Sequence, residues 1–307
     1  MGYLFLLISI CSGGVKGFVA KKVSNKTNGI KSAVLTNFIR MLFCIPVGFI
    51  FVLIDGGIES LAVDKKVLGI AALAGASTCV FIVSWLIAVQ KSAYTAVDTF
   101  VSMGLLVPIL LSLAFYQERI SCSQIIGLVL LFISVILMTL YSNQIKAKLG
   151  ILSLLLLLVV GLSNGITDFT QKIFKYNNAT GAPASVFNFY IYVFSAVILL
   201  VVFLCLKEKK PAHAETFTDT QKTKDWDKQK VLYILIMAIF LFCNTYFKTL
   251  ASERLPAVQV YPLAQGSALV LSSLMAALFF KEKIKPLCIV GLIVLFTGLL
   301  LINVIVF

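Results

Sequence analysis

The chain has 307 residues, 60% hydrophobic and only 13% charged, with a mean hydropathy of +1.02. A soluble domain is nearer half apolar and a quarter charged, so composition excludes a water-soluble globular protein. The formal charge of +13 does not build a nucleic-acid surface, because 23 of the 26 Lys and Arg lie in or beside loops between apolar runs, where they record membrane insertion.

A membrane span needs roughly 20 apolar residues at about 1.5 Å rise each. That rule predicts spans at 2–20, 32–54, 67–89, 93–116, 122–141, 149–171, 184–206, 231–250, 256–279 and 286–306. The first run lacks a basic n-region and a small-residue cleavage pattern, so it reads as helix one and not as a signal peptide. A charge at membrane depth costs about 2.5–3.5 kcal/mol and implies a partner or an aqueous cavity. In the first span Lys16 sits among Gly13, Gly14 and Gly17, and either lines a cavity or snorkels outward with Lys21 and Lys22. In the second, Arg40 shares a face with Thr36, beside Asn37, and either faces a cavity or forms a salt bridge.

Only Gln90, Lys91 and Ser92 separate spans three and four, whose combined run is too long for one crossing. Tyr94, Asp98 and Ser102 then recur at spacing four on span four, a polar stripe that cannot face lipid. It lines a pathway, or Asp98 neutralises Lys16 or Arg40. On span six Asp168 is expected to pair with Lys172 near the membrane edge, leaving Asn164, one turn deeper, for the pathway. Span seven offers Asn188 with Tyr192 and Ser195 on one face. On span eight Asn244 and Lys248 share a face, with Lys248 close enough to the end to snorkel. Span nine, after Pro256, offers Tyr261 and Gln265, with Pro262 placed to kink it. The pathway candidates are therefore Lys16, Arg40, Tyr94, Asp98, Ser102, Asn164, Asn188, Asn244, Tyr261 and Gln265. Three membrane cations (Lys16, Arg40, Lys248) against two anions (Asp98, Asp168) favour a substrate carrying a carboxylate or phosphate, such as an amino acid or sugar derivative.

No catalytic, metal or cofactor site is expected. His213 stands alone in the polar stretch 207–230, the seven cysteines are scattered without a CxxC pair, and there is no HExxH or carboxylate cluster. A membrane-bound enzyme is accordingly the weaker reading.

The chain repeats itself. Glu118-Arg119-Ile120 matches Glu282-Lys283-Ile284, and Gly127 matches Gly291, at one offset of 164. Ala88 pairs with Ala251 at 163, and Asn37-Phe38 with Asn188-Phe189 at 151, the offset growing across the loop 207–230. This divides the chain into 1–148 and 149–307. An odd number of helices per half inserts the second half upside down, giving an all-α membrane protein of ten spans in two inverted five-helix repeats, with a substrate site near the midplane.

These residues resemble the EamA-like ten-helix permeases of the drug/metabolite transporter superfamily. Members end helices four and nine in a glutamate and open the next helix with a glycine, as in Pro108…Glu118…Gly127 and Glu282…Gly291. They tend to carry an arginine in helix two, matched by Arg40 with Pro46 after it, and a lysine closing helices one and six, matched by Lys22 and Lys172. The chain departs in having Gly14 and Asn164 where tryptophans are common, and Ser272 in place of a second Pro108. Glu118 and Glu282, each followed by a basic residue, are expected to cap their helix ends with local ion pairs. The resemblance implies a secondary-active carrier of a small polar metabolite; a polar-lined channel or a lipid scramblase also suits the pattern. Expected partners are a small-molecule substrate and the lipid bilayer, in a multi-pass protein of the plasma (cytoplasmic) membrane. Odd-numbered loops carry 17 Lys/Arg against six in even-numbered ones, which puts both termini outside, whereas the resemblance implies both in the cytoplasm.

Overall fold

The computed structural model describes residues 1–27, 29–91, 94–141, 151–206, 228–279 and 286–303. Among them the regular structure is entirely helical: α1 (Gly2–Ser24), α2 (Gly29–Asp55), a 3-10 turn (Ile58–Leu61), α3 (Lys65–Lys91), α4 (Tyr94–Met103), α5 (Leu106–Tyr116), α6 (Cys122–Tyr141), α7 (Ile151–Asn177), α8 (Ala184–Cys205), α9 (Lys228–Arg254), α10 (Ala257–Phe279) and α11 (Pro286–Asn303). Helix is the local solution because every backbone N–H and C=O must be satisfied within its own segment in hydrocarbon. Six helices, α1, α2, α3, α7, α8 and α9, are long and apolar enough to cross a membrane. The chain is an integral, multi-pass membrane protein.

The fourth apolar run departs from the expected single helix. At its middle, Gly104 N–H bonds the Val101 carbonyl, Leu105 N–H that of Ser102 and Val107 N–H that of Gly104, a tight 3-10 turn separating α4 from α5. Pro108 has no N–H to offer Gly104, four residues back, so the regular ladder cannot continue. The break lies against α7 at backbone distance. A Cβ on Gly104 would stand 2.2 Å from the Gly161 carbonyl oxygen, and one on Gly161 would stand 2.5 Å from that of Phe100.

The helices pair across the two halves of the chain. α1 runs along α9, α3 along α7, α2 along α8 and α6 along α11. Exchanging the halves turns the α1·α9 contact into α7·α3 and returns α2·α8 and α6·α11 to themselves. In the α6·α11 pair Gly127 meets Gly298, each leaving too little room for a Cβ under the other's carbonyl oxygen (2.7 and 2.8 Å). The outward faces are apolar, as Ile125, Ile126, Val129 and Phe132 of α6 illustrate, while Arg40, Asp168, Lys172 and Lys248 are buried. That inversion of the soluble pattern is stable only where lipid covers the outside.

Candidate functional site

A cavity of about 130 Å³ lies among α1, α2, α3, α4, α7, α9 and α10, lined by Ser9, Lys16, Arg40, Trp85, Ser102, Asn164, Asn244, Lys248 and Gln265 between apolar and glycine positions. A single water needs roughly 10–15 Å³ by the same measure, so there is room for a small solute. Its polar groups come from both halves. On α9 the four-residue spacing of Asn244 and Lys248 holds both on the cavity face, while α7 contributes Asn164 and α10 Gln265.

Six of the ten predicted pathway residues meet here: Lys16, Arg40, Ser102, Asn164, Asn244 and Gln265. The side chains of Tyr94 and Asp98 lie outside the described residues, although their helix brings Val101 and Ser102 to the wall. Asn188 is elsewhere. It is fully buried, and its amide donates to the Ala184 carbonyl and to Thr249 Oγ1 at 3.1 Å, bracing α8 against α9. Tyr261 stands behind the wall, its hydroxyl donating to the Asp168 backbone carbonyl at 2.7 Å.

On the α1 side, Asn244 Oδ1 accepts from Lys16 Nζ at 3.3 Å, while its amide nitrogen donates to the backbone carbonyl of Ser9 at 2.8 Å. Gly13 lets this happen, since a Cβ there would stand 3.0 Å from the Asn244 amide. Arg40 is 5% exposed, lines the cavity and forms no ion pair with a described side chain. Its Nη1 donates to the Met237 sulfur at 3.5 Å; Nε and Nη2 have no hydrogen-bond partner, and neither has Asn164 Nδ2.

Three expectations are overturned at one end of the cavity. Asp168 does not pair with Lys172. Its carboxylate takes Lys248 Nζ on one oxygen and Gln265 Nε2, at 3.2 Å, on the other. Lys248 does not snorkel, because α9 continues to Arg254 and leaves it more than a turn inside the helix. Lys172 instead reaches Glu118 at 3.1 Å and the Leu255 carbonyl at 2.8 Å, because α7 runs on to Asn177 and carries Lys172 against α5 and the α9–α10 junction. Glu118 correspondingly caps another helix and not its own. Its Oε2 accepts the backbone N–H of Ala257, first residue of α10, at 2.7 Å, and Oε1 accepts from Tyr176 at 3.2 Å. The carboxylate thus meets the positive end of the α10 dipole. Glu282, its expected counterpart, lies outside the described residues.

Asn164, Asp168, Lys172 and Tyr176 therefore form one stripe along α7, each four residues from the last, passing from the cavity wall through two layers of ion pairs. Besides Ser9 and Trp85 of the lining, the pathway candidates omit the charged pair Lys248 and Asp168. The sequence carries a signal for both charges, since Asp168 lies one turn from Asn164 and Lys248 one turn from Asn244, on the same helix faces.

The EamA-like transporter family model matches residues 1–140 and again 151–304. The chain belongs to the EamA-like transporter family. Two tandem matches cover nearly the whole sequence and carry with them the drug/metabolite transporter superfamily, whose members are transporters and not enzymes. No curated protein matches the chain in sequence. One solved crystal structure, described only as that of a protein, has a TM-score of 0.70 at 13% identity, covering 99% of this chain and 98% of the other. At that identity the likeness is one of fold alone. For an EamA-like chain, a cavity among helices of both halves with a few convergent polar groups is the natural candidate for the transport site.

Proposed function

We propose that this EamA-like protein is a secondary-active carrier that moves a small polar metabolite across the plasma (cytoplasmic) membrane by alternating access between two inverted repeats, 1–148 and 149–307. The observation that carries the reading is the cavity itself, mostly apolar in surface but carrying polar groups from both halves, and backed at one end by two successive ion-pair layers. Asp168–Lys248 forms the inner layer and Glu118–Lys172 the outer. A site occluded on one side is what a carrier needs and a continuous pore lacks. The repeat reading gains support from Asn37 and Asn188, which match at an offset of 151. Each bonds the carbonyl four residues back on its own helix and then bridges to the next helix, Asn37 to Ile82 O and Asn188 to Thr249 Oγ1.

The test is counterflow in proteoliposomes. Saturable uptake, stimulated by unlabelled solute on the opposite side, is expected. Flux linear in concentration and indifferent to trans solute sinks the carrier reading in favour of a channel, and lipid exchange without solute flux favours a scramblase.

A further inference from the structure

Arg40 lines the cavity from α2 and is 5% exposed, yet two of its three nitrogens, Nε and Nη2, are without a hydrogen-bond partner. Buried polar groups are almost always paired, and a buried cation without compensation is costly, so an exception of this kind calls for a cause. The idle pair has a definite geometry. Nε–H and one N–H of Nη2 form a single edge of the guanidinium, pointing the same way at the separation of two carboxylate oxygens. A second idle donor, Asn164 Nδ2 on α7, lines the same cavity and is 6% exposed. The other cations of the wall are engaged, Lys248 by Asp168 and Lys16 by Asn244.

We infer that the cavity takes a small organic carboxylate, held side-on by Nε and Nη2 of Arg40 with Asn164 Nδ2 as a further donor. This rests on the carrier reading and names its substrate class. The two parallel N–H groups of that guanidinium edge match the two oxygens of a carboxylate. All three donor nitrogens are shielded in this conformation, so both the guanidinium and the Asn164 amide must turn about their side-chain torsions to seat the anion.

Trp85 lines the same cavity, and Trp226 is the chain's only other tryptophan. A Trp226→Phe protein therefore reports from the site alone. It is titrated with acetate, hexanoate and L-alanine, each against its carboxamide, and with glycerol 3-phosphate. At least one carboxylate should change Trp85 emission saturably and bind at least about tenfold tighter than its amide, a margin worth about 1.4 kcal/mol. Arg40→Gln should erase that preference, and Arg40→Lys, a point charge without a fork, should lose most of it. Equal binding of acids and amides, no saturation by any acid, tighter binding of glycerol 3-phosphate than of every carboxylate, or a preference that survives Arg40→Gln would each overturn the inference. Folding is checked separately. Removing an unpaired buried charge should leave the melting temperature unchanged or raise it, and a drop of several degrees would mark Arg40 as structural and overturn the anchor. Counterflow separates the two readings. Flux unchanged by Arg40→Gln refutes the anchor and leaves the carrier standing, whereas carboxylate binding at Trp85 without any flux refutes the carrier and leaves the anchor.

Discussion

Lys248 of α9 and Asp168 of α7, 80 residues apart in sequence, form a buried ion pair at the end of the cavity, with Asp168 1% exposed. Gln265 holds the second carboxylate oxygen and Tyr261 the backbone carbonyl of the same residue, so α9 and α10 both converge on Asp168 of α7. Breaking such a pair leaves an uncompensated buried charge, at a cost of about 3–5 kcal/mol, whereas replacing both partners with apolar or neutral groups is close to neutral. Asp168→Asn should therefore lower the apparent melting temperature in detergent sharply, and Asp168→Asn combined with Lys248→Met should restore most of it. Equal melting of all three proteins would refute the pairing.

Glu118 gives a second, local prediction. The Ala257 N–H at the start of α10 has the Glu118 carboxylate as its acceptor. Removing a helix cap costs about 1 kcal/mol, or roughly five- to tenfold in the opening equilibrium of the first turn. Glu118→Ala should speed amide hydrogen exchange in the segment 257–260 by at least that factor and, because it also strips the buried Lys172 of its counter-charge, lower the melting temperature. Exchange unaltered there would show that the cap is not made.

Much of this arrangement was legible in the sequence, for a physical reason. Hydrocarbon forces each apolar run into helix, and a four-residue spacing of polar groups fixes which side turns away from lipid, so Asn164, Asn244 and Gln265 declared themselves. Partner choice was not legible. Asp168 and Lys172 are one turn apart and of opposite charge, a pairing that favours itself in an isolated helix. In the protein each points at a different neighbour, α9 for Asp168 and α5 for Lys172, and buried partners outbid a local one. Helix ends mattered equally. Lys248 and Lys172 looked peripheral only because α9 and α7 run several residues beyond their apolar cores, to Arg254 and Asn177. The break between α4 and α5 was encoded by Pro108, but its position depends on Gly104 meeting Gly161, which no local rule supplies.

That contact is itself testable. A methyl on Gly161 would lie 2.5 Å from the Phe100 carbonyl oxygen, backbone that cannot step aside, whereas one on Gly69 of α3 meets nothing within 4 Å. Overpacking typically costs about 1–3 kcal/mol, and more where backbone is the obstacle. Gly161→Ala should thus destabilise the protein in detergent unfolding assays. Gly69→Ala should stabilise it by about 0.5–1 kcal/mol through helix propensity alone. A reversal of that order would contradict the close approach of α4 and α7.

The two matched asparagines separate support from transport. Asn188 is fully buried and spends its amide on Ala184 O and Thr249 Oγ1, away from the cavity, and Asn37 spends its own on Ala33 O and Ile82 O. Removing either deletes one buried hydrogen bond between helices, worth about 0.5–1.5 kcal/mol, and leaves a cavity behind. Asn37→Ala and Asn188→Ala should lower the melting temperature by similar amounts, because the two side chains brace equivalent helix pairs. Neither should change substrate affinity, measured as the half-saturating concentration in counterflow. Asn164→Ala should do the reverse, since its amide nitrogen has no partner to lose and the cavity has a donor to lose. A shift in affinity on Asn188→Ala at unchanged stability would return that residue to the pathway and undo its role as a brace.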